Sequence, residues 1–141
     1  MPAGAAARVG ADGLRLPFQD ETFDGFVIAF GLRNFENPGM GLRELARVLK
    51  PGGRGLVLEF LRPESSAFGF LYRMYLRAWV PLVGGILSGS FSAYRHLTGT
   101  IHGFFSRREF ASLVEQTGFR VIEARELTFG AATAVRVQKI S

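Results

Sequence analysis

Residues 23 to 30, FDGFVIAF, form a dense β-branched and aromatic run behind polar turn residues, the pattern of a strand covered on both faces. The stretch NPGMGLRELARVLKPGG follows it. There Asn37 is placed to cap a helix, Pro38 suits its first turn, and Leu42, Leu45, Ala46 and Leu49 recur at i, i+3, i+4 and i+7. Arg43, Arg47 and Lys50 take the opposite, solvated face. KPGG ends the helix, and RGLVLEF, residues 54 to 60, reads as a second buried strand. A strand, a helix and a strand in this order imply a right-handed parallel crossover.

Further on, SRREFASLVEQTGF has Ser106 and Glu109 at capping-box spacing, an apolar stripe at Phe110, Leu113 and Val114, and Gly118 as its stop. FRVIEARELT and AATAVRVQK are two more strands, joined at Phe129-Gly130 as an antiparallel hairpin. The pattern predicts an α/β fold, a mostly parallel sheet closed by that hairpin. In such sheets ligands lie beyond the carboxyl ends of the strands, where Arg33, Asn34, Glu59 and Arg62 fall. The first residues, MPAGAAARVG, lack the pattern of a signal peptide and read as a frayed tail, residues 1–8, running into a short strand.

Residues 67 to 87 are apolar almost all round, but Arg73, Arg77, Pro81 and Gly84-Gly85 interrupt them. A membrane span needs about 20 uninterrupted apolar residues, so spanning is not expected. Two readings stay open: a helix pair buried against the sheet, or an apolar lid over a hydrophobic substrate with its arginines at lipid headgroups.

Composition narrows the chemistry. The 141 residues, 48% hydrophobic, suffice for one domain with a core. There is no cysteine, which excludes disulfides, thiolate metal sites and cysteine nucleophiles. The net charge is +5, but fifteen arginines are scattered singly and SRRE is the densest basic spot, so nucleic-acid binding is not expected.

Several motifs stand in order: ADGLRLPFQDETFD, AFGLRNF, RVLKPGGRGLVLEF, YRMYLRAWVPLVGG, AYRHL and GFRVIEARELTFGAA. Together they resemble the carboxyl-terminal half to two-thirds of the ubiquinone/menaquinone biosynthesis C-methyltransferases, from about residue 9 onward. The resemblance implies a class I, Rossmann-like methyltransferase sheet, S-adenosylmethionine as cofactor, and a polyprenyl benzoquinol or naphthoquinol as lipophilic substrate. It also implies a cytoplasmic location, peripheral to the membrane holding the quinone pool.

Methylating a ring carbon requires phenolate character at the neighbouring oxygen, and a fixed guanidinium there would stabilise the developing charge. Arg33 is the candidate, with Asn34 orienting a water or holding the turn; the alternative is that Arg33 only pairs with Glu36 or Glu59. His96, Tyr94 or a water could take the ring proton. Tyr72 and Tyr75, with Tyr94, are candidates to line the quinone pocket. By the same resemblance Asp12 accepts from the adenine amino group and the Gly13 amide meets the ring. Ala29 and Phe30 complete the cofactor side, with alanine where the family often has a small polar residue.

The glycine-rich loop after a first strand, and the acidic residue after a second, have no counterpart among these residues. The expectation is therefore a single truncated methyltransferase domain over 1–141, with 67–105 as lid or substrate insertion. The alternative is a non-catalytic fragment or interaction subunit needing a partner with that loop. The outer edge of FDGFVIAF is expected to be exposed, and the chain alone to be marginally stable or to dimerise.

Overall fold

The computed structural model describes residues 6–62, 105–127 and 132–141, with single residues and short runs between 71 and 86. Strand β1 spans Phe23–Ala29, a 3-10 turn follows at Leu32–Asn34, and helix α1 spans Pro38–Val48. As expected, Asn37 caps α1: its side chain accepts from the Met40 amide at 3.0 Å, and Pro38 opens the first turn, where no amide partner is needed. Strand β2 is Leu49–Glu59, helix α2 is Arg107–Gln116, and β3 and β4 are Phe119–Leu127 and Ala132–Lys139. The capping box of α2 is present in full, with Ser106 and Glu109 each bonded to the other's backbone amide.

The sheet order is β1-β2-β4-β3. β1 and β2 are parallel, so the chain crosses over through α1 as predicted, whereas β4 enters antiparallel between β2 and β3. β1, β2 and β3 therefore run in one direction and β4 alone runs against them, which is the expected mostly parallel sheet closed by an antiparallel hairpin. β2 also begins at Leu49 instead of residue 54: Leu49 pairs with Phe23, and the next partners are Gly25 and Arg54. Lys50 to Gly53 bulge out of that ladder, which accommodates Pro51 and the left-handed Gly52 at φ 72°. The described part of the amino terminus forms no strand: residues 6–11 carry no regular structure, and Asp12 and Arg15 only form a tight turn. The turn at Phe129-Gly130 lies outside the described residues.

Leu42 and Ala46 of α1 and Phe110 and Val114 of α2 pack with Val57, Phe119, Val135 and Val137 of the sheet in one core. Both helices thus cover one face. On the other, Val27 is 72% exposed, Leu56 and Leu58 are half-buried, and Arg54 and Arg136 reach solvent. β1 is an edge strand, as the sequence led one to expect.

Between β2 and α2 the described residues include a π-helical turn at Tyr75–Trp79. Leu71, Trp79 and Ile86 are 63%, 61% and 69% exposed, and the rest of this segment lies largely outside the described residues. No helix among the described residues is long and apolar enough to cross a membrane.

Candidate active site

The carboxyl ends of the parallel strands carry a compact polar cluster. β1 ends at Ala29, and Phe30 turns the chain with a left-handed backbone at φ 52°, unusual for so large a side chain. Its amide still bonds the Leu58 carbonyl at 2.8 Å, and its ring stacks on Phe60 at the matching end of β2, centroids 4.5 Å apart. The turn releases the Phe30 carbonyl from the ladder, and Arg33 Nη1 donates to it at 2.6 Å. Asn34 Nδ2 approaches the same oxygen at 3.5 Å.

Arg33 Nη1 also donates to Glu59 Oε1 at 2.7 Å, and the two side chains are 10% and 1% exposed. Of the two partners weighed for Arg33, the structure selects Glu59; Glu36 is exposed and takes no part. The Glu59 carboxylate further accepts from the Arg33 amide at 3.3 Å and the Phe60 amide at 3.1 Å. The guanidinium carbon lies 5.9 and 5.4 Å from the Phe30 and Phe60 ring centres, within cation–π range. Arg33 Nε is buried without a hydrogen-bond partner.

Next to this cluster Phe35 is held between two glycines. A Cβ on Gly13 would lie 2.5 Å from the Phe35 ring tip, and one on Gly41 would collide with its edge. The Asp12–Arg15 turn is thereby seated near the strand end. In that turn Asp12 Oδ1 accepts from the Leu14 amide at 2.9 Å, while the exposed Oδ2 has no bond among the described residues. The following loop is held by Arg47, which sequence had placed on a solvated face. Arg47 donates to the carbonyls of Leu16 and Phe18, to Asp20, and twice to Glu44, so all five of its N–H groups are used. Glu44 also accepts from the Leu16 amide at 2.9 Å. The Arg47 hydrogen bond holds the Glu44 carboxyl below its usual range, and Arg47 itself is raised above the usual arginine value by Glu44 and Asp20.

The structure thus gathers Phe30, Arg33 and Asn34 around one carbonyl, sets Gly13 against the neighbouring Phe35, and leaves Ala29 exposed at the strand end. Tyr75 is 56% exposed in its π-helical turn. Tyr72, Tyr94 and His96 lie outside the described residues. Sequence reasoning missed Phe35, Phe60, Gly41 and Arg47. The Glu44-Arg47 spacing on one helix was a readable signal, whereas a glycine making room for a distant ring leaves none.

Comparison with solved structures places the fold among the S-adenosylmethionine-dependent methyltransferases. A SAM-dependent methyltransferase from Aquifex aeolicus matches at TM-score 0.59 and 19% identity, over 94% of this chain and 54% of that one. The [4+2]-cyclase SpnF matches at TM-score 0.63 and 14% identity, over 92% and 54%, so the fold by itself does not fix the reaction. The sequence is more specific. The model of the ubiE/COQ5 methyltransferase family matches residues 6–139, and the chain belongs to that family. Its relatives include a ubiquinone/menaquinone biosynthesis C-methyltransferase UbiE of Geobacter sulfurreducens, 44% identical over 88% of this chain and 48% of the relative. A demethylmenaquinone methyltransferase of Thermus thermophilus is 46% identical over 86% and 55%. The chain spans about half the length of the curated relatives it matches. S-adenosylmethionine is the cofactor of this class.

Proposed function

We propose that the chain contributes the quinol-activating half of a C-methylation site acting on a demethylated benzoquinol or naphthoquinol. The observation that carries this reading is Arg33, buried at the carboxyl end of β1 with a donor, Nε, that no protein group satisfies. Hydrogen-bonded to the ring hydroxyl of a quinol, directly or through a water, it would favour the phenolate and so raise electron density on the adjacent carbon. Asn34 steadies the turn through the Phe30 carbonyl. The residues present fit the cofactor: Asp12 has a spare carboxylate oxygen for an adenine amino group, Ala29 and Phe30 lie at the strand end, and Gly13, whose open side is filled by the Phe35 ring, is left to offer its backbone amide. When bound, S-adenosylmethionine would supply an electrophilic methyl group and leave as S-adenosylhomocysteine on cleavage of its sulfur–methyl bond, and the methylated ring carbon would then lose its proton to restore the aromatic ring. His96 or Tyr94 is the proposed acceptor of the proton, with Tyr72 and Tyr75 beside the ring.

The exposed apolar residues between 71 and 86 support a lipophilic substrate and a site peripheral to a membrane. The bare edge of β1 favours a second reading, a subunit that acts only with a partner completing the sheet. The test is methyl transfer from labelled S-adenosylmethionine to a short-chain demethylmenaquinol by the purified chain. Transfer to ring carbon, lowered about 10²- to 10³-fold in kcat by Arg33→Ala, is the expected result. Equal rates with Arg33→Ala would remove Arg33 from the reaction. A folded chain that turns over only after a relative's amino-terminal half is added would favour the partner-dependent reading.

A further inference from the structure

The geometry points to Glu59 as the positioning residue of this site: it orients Arg33 so that Nη1 faces the protein and Nη2 is left for the quinol oxygen. The inference rests on the proposed role of Arg33 and adds a residue to it. Glu59 is 1% exposed and grips Arg33 twice, through its backbone amide and through Nη1. The two hydrogens of Nη1 are both spent, one on Glu59 and one on the Phe30 carbonyl. Because a guanidinium is planar, fixing Nη1 at two points, with the Phe30 and Phe60 rings nearby, also fixes the remaining donors. These are Nε, buried and unpartnered, and Nη2, which has no partner among the described residues.

Arg47 provides the internal contrast. That arginine fastens a loop, and every one of its donors is used. An arginine with a purely structural task has no reason to keep a buried donor empty, since an unmade buried hydrogen bond is costly. A buried ion pair is also a poor device for stability alone, because apolar side chains of similar volume commonly serve as well. Glu59 has a second effect on the chemistry. Its negative charge offsets that of Arg33, so the quinol oxygen meets a directed donor rather than an uncompensated cation.

Glu59→Gln keeps the shape and removes the charge, and Glu59→Asp keeps the charge and shortens the reach. Both are compared with Arg33→Lys in the full chain, by steady-state kinetics with a short-chain demethylmenaquinol and by nitrogen NMR of the Arg33 guanidinium. The expected result for Glu59→Gln is a kcat about tenfold to a hundredfold lower with KM for S-adenosylmethionine unchanged. The acid limb of its pH–rate profile moves to lower pH, because an uncompensated guanidinium favours the phenolate more. Glu59→Asp recovers part of the rate, and Arg33→Lys combined with Glu59→Gln is no slower than the slower single variant. In the spectra, the separate Nη1 and Nη2 signals of the wild type merge in Glu59→Gln. An unchanged acid limb, or Nη signals that stay separate without the carboxylate, would overturn the positioning role. Full activity of Arg33→Lys would instead overturn the reading of Arg33 while leaving the spectra to report on Glu59. In a chain that turns over no quinol, the NMR comparison alone decides: merged signals support the positioning of Arg33, separate ones refute it.

Discussion

At the scale of single residues, the most confined position is the Phe35 ring. Gly13 and Gly41 approach it from the turn and from α1, and neither has space for a methyl group. Gly41→Ala therefore forces the ring to move or α1 to back away, and overpacking of this kind costs about 1–3 kcal/mol. Chemical denaturation of Gly41→Ala against the double variant Gly41→Ala/Phe35→Leu checks the cause. The double variant is expected to regain part of the loss, and equal loss in both would show that the clash is not with Phe35. Phe30 presents the opposite case: its left-handed backbone is retained in spite of a large side chain because the carbonyl it frees binds Arg33 and Asn34. The motif AFGLRNF showed that an arginine and an asparagine sit where a strand must turn. It did not show that Phe30 would supply the acceptor, since backbone handedness at a phenylalanine leaves no mark in sequence.

At the scale of elements, the caps were legible because each depends on residues three or four apart, whereas the KPGG stop was not: α1 ends at Val48, and Lys50 to Gly53 lie within β2. Asn37, the Ser106-Glu109 box, and Leu42 and Ala46 on the apolar face of α1 fall where local rules put them, whereas Leu49, read as the last of that stripe, opens β2. What failed depends on distant partners. β2 starts at Leu49 because Phe23 is there to pair with it, and Arg47 spends its donors on protein groups because the 12–22 loop folds back over α1. Arg47→Met, which keeps the stem and removes the five donors, should lower the unfolding midpoint and speed hydrogen exchange at the amides of residues 14–20 more than elsewhere. Exchange that quickens evenly over the whole chain would show that Arg47 does not hold the loop in particular. The Glu44 carboxyl, held low chiefly by Arg47, adds a pH dependence. A carboxyl whose folded value is depressed stabilises the protein fully above the ordinary value of 4.5, and that contribution fades as pH falls through the lower folded value. Melting temperature should thus fall on acidification below about pH 4.5, with a shallower slope in Glu44→Gln. Parallel slopes for the two proteins would locate the acid sensitivity elsewhere.

At the scale of the whole molecule, the sheet formed by the described residues is finished on one side only. The β3 edge carries charged residues, among them Glu123 and Glu126 paired with Arg136 and Arg107, which discourage strand pairing. The β1 edge has no such protection. Its one charged residue, Asp24, is tied to Lys50, and Phe23, Phe26 and Val27 line an apolar cleft of about 290 Å³ with Leu16 and Phe18. FDGFVIAF reads as a strand covered on both faces, but the described fold covers only one, with Val27 72% exposed on the other; the apolar run marks a strand and does not show what packs against it. A strand of this kind, open at its edge and 72% exposed at Val27, is a template for association of the isolated chain. Val27→Lys places a charge in the middle of that edge without touching the Arg33 cluster or the core. It is expected to raise the fraction of monomer in sedimentation velocity at matched concentration, with the unfolding midpoint of the monomer little changed. If Val27→Lys leaves the distribution of species as it was, the contact does not run through β1, and the exposed apolar residues around Trp79 become the surface to alter next.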